Sequence, residues 1–239
     1  MGIDVTSNKE VKFNGDHNDG VSTCIRQNPT LNRIKNLNVH SVFSRNLKGQ
    51  ERGDGNPFIY ALKGLKKYQI TNKELFKFRI SFQSSLSQVI DKLGTIDYII
   101  IIPSSTKVPY YVARRIAVKT GAQLVEGVFV KQSVNSFLEF DLKNAPKKDQ
   151  SEIKRQLSTW KKIPHEKISL KNVKPKIRKY FPPLALNSQF DVGLLQGNCI
   201  LVDDLFASGS TLVSARDVLQ KQSINISDAI CLLGELKLR

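Results

Sequence analysis

An apolar run that ends in two adjacent carboxylates, then passes at once into a loop of small hydroxylated residues, leaves a chain few ways to fold. Residues 199–212 have that order: four apolar residues, Asp203 and Asp204, a loop through Phe206, Ala207, Ser208, Gly209, Ser210 and Thr211, and then a helical pattern. The run reads as a strand and the pattern after it as a helix. The turn between them offers the backbone N–H groups of residues 206–211, and the positive end of a helix dipole, to an anion. Beside it, Asp203 and Asp204 are placed to accept charge-assisted hydrogen bonds from sugar hydroxyls. The plainer alternative is a buried strand ending in a polar turn, with the aspartates capping the next helix.

A second apolar run repeats the arrangement. Residues 96–102 are almost all isoleucine, which reads as a parallel strand buried on both faces. Pro103 ends it, and Val112, Ala113, Ile116 and Ala117 mark one face of a following helix that Gly121 stops. Before it, Phe82, Leu86, Val89, Ile90 and Leu93 share a helix face ending at Gly94. After it, residues 123–130 and 228–235 read as further strands. Alternation of this kind predicts a doubly wound α/β fold with a mostly parallel sheet, whose ligands bind beyond the carboxyl ends of the strands. Asp203 and Ser104 both stand at such ends.

The N-terminal part is less regular. Residues 6–20 are rich in Asn, Asp, Gly and Lys and read as mobile; residues 39–43 read as a short edge strand, and residues 58–63 as a short helix. The expected division is an irregular N-terminal region over residues 1–56 and an α/β domain over 57–239, with an insertion over about 141–190. In that insertion Ile153, Leu157 and Trp160 share a helix face, and several prolines interrupt the rest.

Charge is concentrated there. The chain carries a net +16, and residues 143–179 supply thirteen Lys or Arg against three acids, a local +10. A balance of that size points to a polyanionic partner or substrate. A nucleic acid or ribonucleoprotein is one reading: Lys161, Lys162, Lys174 and Lys176 would bind phosphates, and Trp160, Tyr180 and Phe181 would stack on bases. Enclosing an anionic small molecule is the other. Cys24, Cys199 and Cys231 form no disulfide framework or zinc spacing, and suit a reducing cytoplasm. His17, His40 and His165 are isolated. No run is long enough to span a bilayer, and no membrane partner is expected. An oligomer is compatible with everything above.

Residues 199–212 closely resemble the phosphoribosyl pyrophosphate (PRPP) motif of type I phosphoribosyltransferases. The resemblance implies that Asp203 and Asp204 clamp the ribose hydroxyls and are the candidate catalytic residues. It implies that Ala207, Ser208, Gly209, Ser210 and Thr211 hold the 5′-phosphate. It also implies that the loop Ser104, Ser105, Thr106 and Lys107 holds pyrophosphate, and that Mg²⁺ bridges substrate oxygens without direct protein ligands. The insertion then corresponds to the loop or hood that closes over the reaction centre in that family. Within it, Tyr60-Ala61-Leu62-Lys63, the strand ending at Pro103 and the helix around Arg114 and Arg115 resemble the competence-protein ComF branch. The paired-cysteine module and the arginine-rich Gly-Phe-Asn-Gln segment of that branch are missing. Two functions are open: a phosphoribosyltransferase acting on an unidentified acceptor, or a regulator or antiphage accessory protein, such as a retron component, that binds a phosphoribosyl ligand or nucleotide and associates with nucleic acid.

Overall fold

The computed structural model describes residues 1–46, 56–168 and 173–235. Residues 47–55 of the expected N-terminal region, 169–172 of the insertion (Lys171 among them) and 236–239 lie outside the described residues.

The fold is mixed α/β around a seven-stranded sheet. Its middle is parallel: β5 (Leu37–Arg45), β11 (Asp228–Glu235), β10 (Cys199–Leu205), β6 (Tyr98–Ile101) and β7 (Gln123–Val125) lie side by side in that order. Two short strands, β3 (Val21–Ser22) and β4 (Thr30–Ile34), pair antiparallel with the outer side of β5. Side chains along β6 alternate as a doubly buried strand requires. Ile99 and Ile101 enter the core under α3 (Arg79–Leu93) and α4 (Val108–Thr120); Ile100 and Ile102 enter the core under α6 (Ser210–Gln220).

This alternation positions the site. From β6 the chain passes through α4 on one face to β7; from β10 it passes through α6 on the other face to β11. The two connections part above the boundary between β6 and β10, the switch point at which sheets of this kind form a crevice beyond the carboxyl ends of their strands. β10 also runs further than expected. It continues through Asp203 and Asp204 to Leu205, held by its pairing with β11, while β6 stops at Ile101. Both aspartates therefore stand on a rigid strand that overtops its neighbour.

Three local readings change. Residues 6–20, expected to be mobile, supply β2 (Val11–Asn14) to a hairpin with β1 (Gly2–Val5), and Ile3 and Val11 are buried in the main core. Phe13 meets Phe78 edge-on at 5.0 Å, so a few apolar anchors outweigh the polar composition. Residues 39–43 lie in an interior strand rather than an edge, because β3 and β4 cover β5. Residues 123–130, expected as one strand, break at Gly127, whose φ of 76° is left-handed. The second piece, β8 (Phe129–Lys131), leaves the sheet and pairs with β9 (Leu184–Leu186).

That pair is the stem of the insertion, which builds a core of its own. α5 (Lys147–Trp160) buries Ile153, Leu157 and Trp160 as its spacing predicts, against Val134, Phe137, Ile177 and Phe181. Asp149 lies on the same face. Its buried carboxylate accepts from Tyr180 Oη at 2.8 Å and pairs with Lys176 Nζ at 2.9 Å, tying α5 to the 3₁₀ turn Pro175–Tyr180. Those bonds hold the Asp149 carboxyl below its ordinary range. Trp160 and Phe181 pack ring to ring at 4.8 Å inside this core, so neither is available to stack on a base. No helix among the described residues is long and apolar enough to cross a membrane.

Candidate functional site

The crevice joins the two loops singled out in the sequence. Ser104 Oγ donates to Asp204 Oδ2 at 3.0 Å, across a hundred residues of chain, so the loop after β6 and the acidic pair of β10 form one surface. Thr106 N in turn donates to Ser104 Oγ at 3.3 Å. Ser105 and Lys107 are exposed at the rim, with Lys107 just before the first turn of α4.

Asp204 is only 5% exposed. Its second partner is Lys63, whose Nζ lies 2.7 Å from Oδ2. Lys63 is the last residue of α1 (Pro57–Lys63) and is placed by that helix's ends. The Asn56 side chain accepts from Phe58 N at the start, and Gly64 turns the chain with a φ of 63° at the close. Asp203 is half-buried, and its Oδ1 accepts from Asp204 N at 2.8 Å. Burial, and then the neighbouring charge of Asp204, push the Asp203 carboxyl above the ordinary range; Lys63 and Lys131 oppose the shift. Lys131, at the end of β8, is held low first by desolvation, with Asp203 and Asp204 pulling the other way and Lys167 and Lys63 adding to the fall. The stem of the insertion thus brings an exposed cation within electrostatic range of the acidic pair, with no direct ion pair to it among the described residues.

The loop after β10 lies next to it. Gly209 has a φ of 68°, and a Cβ there would meet the Phe206 ring at 2.8 Å and Ile34 Cδ1 at 3.0 Å. Only glycine fits the turn. It starts α6, whose first N–H groups have no helical partner. Among the described residues, the amides of residues 207–212 make no hydrogen bond. Phe206 N is different: it donates to Leu233 O at 2.8 Å, so the expected set of anion-facing amides shortens by one. The hydroxyls of Ser208 and Ser210 lie 2.8 Å apart above this turn.

The crevice therefore combines a buried, ion-paired acid, a half-buried acid of raised pKa, two lysines from distant segments and a helix N-terminus with unused amides. Among the described residues no group of three His, Cys, Asp or Glu side chains converges on a metal position. Cys199 and Cys231 are buried thiols held in the neutral form: burial pushes Cys199 up to about 11, and Cys231, beside Asp203 in the sheet register, is also raised by burial. Lys161 and Lys162 are exposed where α5 ends, whereas Lys174 pairs with Glu152 at 2.6 Å and Lys176 with Asp149. Lys63 and Lys131 were missed as site residues, since nothing local in either segment marks it as part of a site. No family model and no curated protein matches the chain.

Proposed function

We propose that the protein binds PRPP, or a close phosphoribosyl relative, in this crevice and transfers phosphoribose to an acceptor with release of pyrophosphate. The observation that carries the reading is the Ser104–Asp204 hydrogen bond. It supports the reading because it joins the candidate pyrophosphate loop to the candidate ribose clamp, on the strand that leads into the N-terminus of α6 at the switch point of the sheet.

The residues divide the work by charge. The amides and hydroxyls of residues 207–211 receive the 5′-phosphate at the helix N-terminus. Asp203 and Asp204 accept from the ribose hydroxyls and offset the positive charge that develops at C1′. Ser104, Ser105, Thr106 and Lys107 hold the departing pyrophosphate. The bond from C1′ to pyrophosphate oxygen breaks with its electron pair leaving on pyrophosphate; the acceptor's lone pair forms the new bond at C1′, and the acceptor's proton passes to solvent. Mg²⁺ bound with such a substrate would neutralise charge on its phosphate oxygens, and Asp203 and Asp204 are the acidic groups that would help hold the metal–substrate complex. Lys63, with its Nζ 2.7 Å from Oδ2, orients the Asp204 carboxylate. Assaying pyrophosphate release from PRPP with a panel of free bases tests the reading: turnover that disappears in Asp203→Asn/Asp204→Asn supports it, and turnover unchanged in that variant refutes it.

A second reading has a specific observation behind it. The insertion has its own core and leaves Lys154, Arg155, Lys161 and Lys162 exposed on α5 and just beyond it. A regulator or antiphage accessory protein, such as a retron component, would read the phosphoribosyl ligand at the crevice and use this surface for nucleic acid or a ribonucleoprotein. Contact would be with phosphates rather than bases, since the aromatic candidates Trp160 and Phe181 are interior. Ligand binding without turnover on any acceptor favours this reading over the first.

A further inference from the structure

Away from the crevice, α2 (Asn72–Lys77), α3 and α4 border an apolar groove of about 830 Å³. Phe78 and Phe82 form its floor and continue into the main core. Its walls stay open to solvent: Phe76 is 65% exposed, Tyr111 58% and Val118 76%. Apolar side chains this exposed, and gathered in one concavity, mark an interaction surface rather than ordinary scatter. The charges around it have one sign. Arg79, Arg115 and Lys119 line the groove, and among the described residues no Asp or Glu does. Arg79 lies over the Phe76 ring at 5.5 Å, and Lys119 Nζ donates to Ser87 Oγ at 2.6 Å rather than to a carboxylate.

The charge decides among occupants. A second copy meeting this face symmetrically would set the three cations against their own equivalents. The chain's residues 236–239 contain Lys237 and Arg239 and no acid, so they match the rim no better. We propose that the groove docks an amphipathic helix of a partner protein, with an apolar stripe flanked by Asp or Glu. A groove bordered by helices takes apolar side chains spaced i, i+3 or i+4, and i+7, and the acidic flanks would meet Arg79, Arg115 and Lys119. The inference is independent of the ligand in the crevice.

The test is selection of a displayed library of helical peptides of about four turns against the full chain, followed by fluorescence anisotropy of the enriched peptides. Enriched sequences are expected to carry the apolar spacing with acidic flanks, and to lose affinity at least about tenfold on Val118→Asp. The triple charge reversal Arg79→Glu, Arg115→Glu and Lys119→Glu, at exposed positions, should switch preference to lysine-flanked versions of the same peptides. It decides the matter should Val118→Asp fail to fold by circular dichroism. Enrichment without acidic flanks, or equal binding by the charge-reversed protein, overturns the proposal. So does sedimentation as a dimer that Val118→Asp dissolves, which would assign the face to a second copy.

Discussion

Asp203 is the residue whose environment is most at odds with its charge. Half-buried beside Asp204, its carboxyl is pushed above the ordinary range by desolvation and then by its neighbour's charge. Between that range and its raised pKa the native state binds more protons than the unfolded chain, so its contribution to stability falls as pH rises through this window. Asp203→Asn keeps an acceptor for Asp204 N and removes the charge. It should raise Tm near neutral pH by a few degrees, about 1 kcal/mol being worth ~2–4 °C in a chain of this size. The gain should shrink as pH falls and vanish only below about pH 3, where the carboxyl is protonated in both states. Thermal melts across that range check it, and an unchanged or lowered Tm at neutral pH would show that Asp203 is not strained by burial. Asp203, Asp204 and Gly209 were legible in sequence because strand, turn and helix signals abut there. Lys63 and Lys131 were not, because only tertiary folding brings α1 and the stem of the insertion to β10.

At the scale of elements, regular periodicity carried over and breaks did not. The helical faces of α3, α4 and α5 and the double burial of β6 follow from spacing alone. The division of residues 123–130 at Gly127 depends on a left-handed turn that the apolar run conceals, and the β1–β2 hairpin depends on the packing of Phe13 far along the chain. The insertion's boundary shifts for a similar reason, since Val134 and Phe137 precede the basic segment yet belong to its core. A core separate from the sheet's implies separate opening. Ile153→Ala, at a fully buried position, should cost the insertion about 2–5 kcal/mol. Amide exchange should then speed up throughout α5 while β6, β10 and β11 keep their protection. Equal acceleration in the sheet would show that the insertion and the sheet unfold as one unit.

Over the whole molecule, a mostly parallel α/β sheet gathers its loops at one end, and a basic insertion springs from a stem beside them. The net charge of +16 points to an anionic partner without saying where it would bind. All four lysines are exposed, but Lys174 and Lys176 are ion-paired with Glu152 and Asp149, whereas Lys161 and Lys162 have no ion pair among the described residues. Lys161→Gln/Lys162→Gln should therefore weaken mobility shifts with single- or double-stranded nucleic acid and reduce the salt slope by about one to two. Lys174→Gln/Lys176→Gln should instead loosen the insertion, visible as a lower Tm. Equal effects of the two pairs on binding, with no change in Tm, would contradict this division. The central claim concerns the crevice, and isothermal titration calorimetry with PRPP and Mg²⁺ tests it most directly. Saturable binding that Asp203→Asn/Asp204→Asn abolishes is the result expected; no heat at millimolar ligand, or affinity unchanged in that variant, would contradict it.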